Sequence, residues 1–159
     1  MVASRLERGP SSGFVDRLPH FLLVDDDELI GRSVCRVLRL ARPRWVLVPV
    51  TTASEAANEL AQRPYDVLIA DLALQHGLPG TALLEYTRYR HPVVARVVFS
   101  ALADQARHHP EVQAAHGVLQ KPTTPQELVS ALAVALRTGA GMRSALLAPR
   151  TAIQRSFAG

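Results

Sequence analysis

Cysteine is almost missing from this chain. Cys35 stands alone among 159 residues, so an intrachain disulfide and a cysteine-based zinc site are both excluded, and a lone thiol in a helical pattern reads as a small core hydrophobe. Lysine is equally scarce: of 18 basic residues all but Lys121 are arginine. In so lysine-averse a composition, a compact ammonium where a guanidinium is expected suggests chemistry that needs a point charge. Long apolar runs are absent too. Nothing approaches the roughly 18 residues of a membrane-spanning helix. The first 19 residues (MVASRLERGPSSGFVDRLP) lack the apolar stretch of a secretory signal, so the expected location is the cytoplasm.

The net charge of +4 hints at nucleic acid until it is located. Three of the 18 basic residues and two acids lie in 1–19, and three basic residues and no acid in 138–159; the body between them holds 12 of each sign. A neutral body gives no electrostatic reason for a phosphate-tracking surface, so neither nucleic acid nor membrane is an expected partner. Hydrophobic residues at 48% and charged residues at 20% fit one globular core. The expected organisation is an N-terminal tail over 1–19, one domain over 20–137, and a basic C-terminal tail over 138–159. The 22 residues after Arg137 are too few for a separate output domain.

Five short apolar runs alternate with helical patterns: FLLV (21–24), WVLVPV (45–50), DVLIA (66–70), RVVFS (96–100) and GVLQ (117–120). They are too continuous for strands with one wet face and predict buried parallel strands. Between them, Leu29, Ile30, Val34, Val37 and Leu38 share one helical face, and Ala56, Leu60 and Ala61 another. Thr52 to Glu55 and Thr124 to Glu127 spell capping boxes, with Pro125 at a first-turn position and Gly139 marking the end of the last helix. A third helix is expected from about Thr81 to Arg90. Pro110 divides 102–115 into two short pieces or bends it. The pattern predicts an α/β fold, a doubly wound five-stranded parallel sheet with helices on both faces.

In such sheets ligands bind beyond the carboxyl ends of the strands. The residues there are Asp25-Asp26-Asp27 after the first run, Asp71 after the third, Ser100 ending the fourth, and Lys121-Pro122 after the fifth. Clustered carboxylates repel one another unless a cation sits among them. All-oxygen ligation favours a hard ion such as Mg²⁺.

FLLVDDDELI, DVLIADLALQHGLPG, VVFSA and LQKP, in that order, make residues 20–137 resemble the receiver domain of two-component response regulators. The separations reinforce it: 45 residues from Asp26 to Asp71, 29 on to Ser100, and 21 on to Lys121. The resemblance implies a flavodoxin-like strand order 2-1-3-4-5. It implies Asp71 as the phosphoacceptor, attacking a phosphoryl group carried by a histidine kinase or histidine phosphotransfer protein. Asp25, Asp26, Asp71 and the Ala73 carbonyl would hold Mg²⁺, and Lys121 and the Ser100 hydroxyl would contact phosphoryl oxygens. The protein would catalyse only its own modification, and its output would be contact with an unknown downstream protein. Homodimerisation through the fourth or fifth helix is a family habit.

Departures from the family pattern are Val118 where an aromatic is frequent, Gln75 where proline is frequent, Thr123 where Phe is common, Pro110, and a loop after Asp71 one residue longer than usual. They predict an unusual partner surface. Competing readings are a phosphorylation-independent binding module of the same fold and a Mg²⁺-dependent phosphohydrolase; for the second, no further acid is placed to activate water and no cap segment is present. His76 reads as a solvated loop residue. His108-His109 lacks a third metal ligand and does not share a helical face. In the C-terminal tail, Leu146, Leu147, Ile153 and Phe157 with Arg143, Arg150 and Arg155 suggest a basic amphipathic segment broken by Pro149.

Overall fold

The computed structural model describes residues 17–108 and 110–148. Strand and helix alternate: β1 (His20–Val24), α1 (Glu28–Ala41), β2 (Val46–Val50), α2 (Ala53–Gln62), β3 (Val67–Ala70), α3 (Gly80–Arg90), β4 (Ala95–Ser100), α4 (Ala103–Ala106), a 3-10 turn (Pro110–Ala114), β5 (Gly117–Gln120) and α5 (Pro125–Leu147). All strand pairs are parallel, in the order β2-β1-β3-β4-β5. This is the flavodoxin-like doubly wound sheet. The stretch around Pro110 forms two short pieces, α4 and the 3-10 turn.

Side chains alternate across each strand, so the sheet feeds two separate cores. Leu22, Val24, Leu68, Ala70 and Val98 face one way, against Ala56 and Leu60 of α2 and Leu83 and Leu84 of α3. Phe21, Leu23, Val67, Ile69, Val97 and Phe99 face the other way, against Val34 and Leu38 of α1 and Leu128 and Leu132 of α5. Truncating a fully enclosed side chain such as Leu68 or Leu84 to alanine costs about 2–5 kcal/mol, the range for cavity-forming changes. β2 is an edge strand, which is why it tolerates Pro49.

The helices start where their caps place them. Asp27 Oδ1 accepts the Leu29 amide at the head of α1. Thr52 with Glu55 and Thr124 with Glu127 close reciprocal capping boxes on α2 and α5. Two residues assigned to buried helical faces are instead exposed. Leu29 lies at the start of α1 and is 66% exposed, and Ala61 sits on the outer side of α2. Cys35 is half-buried on α1.

The last helix departs most from the sequence expectation. It does not stop before Gly139 but runs on to Leu147. Gly139 is buried within it because a Cβ there would stand 3.1 Å from the Asp66 carbonyl oxygen and 3.3 Å from that of Val93. Glycine serves here for close approach of the helix to the ends of β3 and β4, not for helix termination. One turn on, Arg143 reaches Asp66 Oδ1 at 3.1 Å, the carboxylate that Arg17 contacts at 2.8 Å from the segment before β1. No described helix is long and apolar enough to cross a membrane. Residues 1–16 and 149–159, which contain the rest of the expected tails, lie outside the described residues, as does His109.

Candidate functional site

β1 and β3 are neighbours in the sheet, with Val24 paired to Ala70, so the residues that follow them, Asp25 and Asp71, emerge side by side. Their amides still belong to the ladder: Asp71 N donates to Val24 O at 3.0 Å and Asp25 N to Val50 O at 3.1 Å. The backbone thus holds both carboxylates on rigid strand ends. Asp25 is 3% exposed and Asp71 7%.

Lys121 enters from the end of β5, 96 residues beyond Asp25 in sequence. Its Nζ lies 2.5 Å from Asp25 Oδ2 and 2.8 Å from Asp71 Oδ2, so one ammonium bridges two buried carboxylates. The Phe99 ring, 5.2 Å from Nζ, forms an apolar wall on one side. Burial, the largest single influence, works to lower the Lys121 pKa, but the hydrogen bonds to Asp25 and Asp71 together with the charges of those carboxylates outweigh it and hold the ammonium above its usual range. For Asp25 burial wins: its carboxyl is pushed up despite bonds from Lys121 and from the Asp27 amide at 3.0 Å.

Asp26 completes the acidic group. Its Oδ2 accepts the Gln75 amide at 3.2 Å, and Asp71 Oδ1 accepts that of Ala73 at 3.0 Å, so the loop after β3 folds back over the carboxylates. Asp25, Asp26 and Asp71 each offer an oxygen within 4.8 Å of the others. Three carboxylates and one ammonium leave an excess of negative charge in a confined space. The all-oxygen donor set fits a hard divalent cation such as Mg²⁺. Among the described residues this is the one group of three or more acidic, histidine or cysteine side chains so arranged.

The family described as response regulator receiver domain matches residues 21–133. The chain belongs to that family. Two-component signalling is therefore its setting.

Solved structures agree with the fold of this receiver. A signal receiver domain of an HD domain-containing protein from Pseudomonas fluorescens Pf-5 superposes with a TM-score of 0.73 at 28% identity, covering 84% of this chain and 97% of the other. A sensor protein from Polaromonas sp. JS666 gives 0.69 at 27%, covering 76% and 98%. The response regulator TrrA from Thermotoga maritima, crystallised with Mg²⁺ and BeF, gives 0.68 at 19%, covering 74% and 98%. None of the curated proteins matches.

Ser100, the last residue of β4, is 4% exposed, and its Oγ accepts the Leu102 amide at 3.2 Å. Ala73 lies on the exposed loop after β3 and meets Asp71 through its amide. Asp27 caps α1 rather than joining the acidic group. His76 and His108 are exposed. Val118 is partly buried against the α2/α3 core, so no aromatic stands at that position, and Thr123 donates to Glu127 at 3.2 Å.

Two residues matter here that residue type alone did not single out. Gly80 opens α3 directly beneath the site, where a Cβ would lie 2.0 Å from the Asp71 carbonyl oxygen, a close approach that a lone glycine does not announce. Gln120, next to Lys121, bonds three backbone groups, and nothing in the sequence around it announces them.

Proposed function

We propose that the protein accepts a phosphoryl group on Asp71 from a phosphohistidine of a histidine kinase or histidine phosphotransfer protein, and that it signals through contacts that depend on this modification. The observation that carries the reading is the Lys121 ammonium held between Asp25 and Asp71 at 2.5 and 2.8 Å. An Asp71 carboxylate oxygen attacks phosphorus, the P–N bond of the donor breaks, and an acyl phosphate forms. Little covalent chemistry is asked of the protein; positioning and charge neutralisation suffice. Lys121 meets the phosphoryl oxygens as a point charge and the Ser100 hydroxyl donates to another. Asp25, Asp26, Asp71 and the Ala73 carbonyl would hold Mg²⁺, which supplies neutralisation of phosphoryl charge.

The protein is no enzyme toward other substrates; it catalyses only its own phosphorylation and dephosphorylation. Its place is the cytoplasm, its output a contact with a downstream protein, and homodimerisation through α4 or α5 belongs to the same proposal. The test is incubation with acetyl phosphate and Mg²⁺ followed by intact-mass measurement. Wild type gains one phosphoryl group and Asp71→Asn gains none. A wild type that gains none leaves a phosphorylation-independent binding module, and sustained turnover of external phosphate esters replaces the reading with a phosphohydrolase.

A further inference from the structure

The segment between Ser100 and α4 has one local side-chain hydrogen bond of its own, from Leu102 N to Ser100 Oγ at 3.2 Å. Leu102 occupies the N-cap of α4 and provides no side-chain hydrogen bond to the helix. A leucine there leaves the first amides of the helix without local partners. α4 spans only Ala103–Ala106. Such a segment, by itself, has no strong reason to keep one conformation.

Gln120 makes good the deficit from the neighbouring strand. The β4/β5 ladder ends at the pair Ser100 and Gln120, and Lys121 N donates to Ser100 O at 2.9 Å. Beyond that point the Gln120 carboxamide, chemically a peptide group, continues the pairing. Its Oε1 accepts the Ala103 amide at 3.1 Å, and its Nε2 donates to Ala101 O at 2.7 Å and Lys121 O at 2.8 Å. One side chain thus caps α4, grips the residue after Ser100, and ties both to the backbone of Lys121. Meanwhile Ser100 Oγ accepts from Leu102 N, inside the gripped segment.

We infer that Gln120 is a positioning residue: it holds the Ser100–Ala103 segment in the arrangement belonging to unmodified Asp71, and release of its carboxamide couples phosphorylation to movement of α4. Val118 provides no aromatic ring to couple the hydroxyl residue to β5, whereas the carboxamide ties Ala101 and Ala103, the residues that follow Ser100, to the end of that strand. Bonds present in one of two states favour that state by their own strength, so removing them shifts the population to the other. This inference rests on Asp71 being the phosphoacceptor.

The test uses the full chain as wild type, Gln120→Ala and Gln120→Met, the second keeping side-chain length without hydrogen bonds. Amide exchange of Ala103, followed by NMR without metal, is slow in wild type and faster in both variants. Titration with beryllofluoride in Mg²⁺, a probe for an acyl phosphate, binds both variants more tightly by roughly fivefold, equivalent to about 1 kcal/mol at 25 °C. Addition of the probe to wild type speeds Ala103 exchange. A residue with a merely structural role would lower the melting temperature and leave the affinity unmoved. That result overturns the inference, as does weaker binding or an effect confined to Gln120→Ala. A wild type indifferent to beryllofluoride overturns the phosphoacceptor reading itself, and the coupling with it.

Discussion

Lys121→Met tests the electrostatics of the site most directly. The substitution keeps an unbranched side chain of similar length and removes the one ammonium that Asp25 and Asp71 share, which also lies 5.2 Å from the Phe99 ring. The side chains of Asp25 and Asp71 are only 2% and 10% exposed, so water replaces the lost partner poorly. Taking one partner from a buried ion pair costs about 3–5 kcal/mol, much of it the penalty for the charge left behind. Lys121 itself is 14% exposed at the rim, which places the expected loss at the lower end, about 3 kcal/mol. For a domain of this size that is a fall of about 10 °C in Tm.

The assay is urea unfolding at pH 7 in EDTA, with the double variant Lys121→Met, Asp25→Asn beside the single one. If two facing carboxylates cause the loss, neutralising Asp25 returns about 1–2 kcal/mol, although the same change in an otherwise wild-type chain removes a favourable bond. Mg²⁺ at about a hundredfold over its Kd restores up to roughly 2.7 kcal/mol to the single variant by mass action. A Lys121→Met protein as stable as wild type in EDTA would refute the reasoning. So would a loss that Asp25→Asn leaves unchanged, since the ammonium would then matter for packing and not for charge.

Gly80→Ala places a Cβ 2.0 Å from the Asp71 carbonyl, a clash with backbone that α3 or the β3 end must move to relieve; the expected cost is about 3 kcal/mol in urea unfolding, with a weaker response to Mg²⁺. Gly139→Ala and Gly141→Ala form a contrasting pair on α5. A Cβ at Gly141 meets none of the described residues within 4 Å, so alanine there stabilises by about 0.5–1 kcal/mol, whereas at Gly139 the backbone oxygens at 3.1 and 3.3 Å cancel that gain and turn it into a net loss in the same melts. His91 provides a pH dependence. Its Nε2 is buried with no hydrogen-bond partner among the described residues, and burial, aided by the neighbouring Arg90 charge, holds its pKa below the usual range. A histidine lowered in the folded state contributes stability that is complete above about pH 6.5 and declines as pH falls toward the folded value. His91→Asn therefore shows a shallower loss than wild type below pH 6.5, and parallel stability curves would count against the assignment.

Much of this protein is written locally. Five apolar runs such as FLLV and VLIA are continuous because both sheet faces are covered, and Thr52/Glu55 and Thr124/Glu127 announce helix starts because a cap needs only residues three apart. The rim residues were legible for a related reason. In a parallel sheet every strand ends on the same side, so Asp25, Asp71, Ser100 and Lys121 share an edge once the strands are recognised.

What periodicity could not supply is which groups touch. Whether Lys121 bridges Asp25 and Asp71 or points outward depends on how β5 seats beside β4 and on where the chain turns after Gln120. The Gln120 carboxamide matters only because Ala101 and Ala103 come within its reach. Gly139 looks in sequence like a helix stop and is in fact a point of close approach, because the strand ends beneath α5 give the helix a surface on which to continue. Backbone propensity and hydrophobic period are properties of neighbours along the chain and so belong to the sequence. Contacts between segments tens of residues apart are settled by packing, which belongs to the tertiary structure alone.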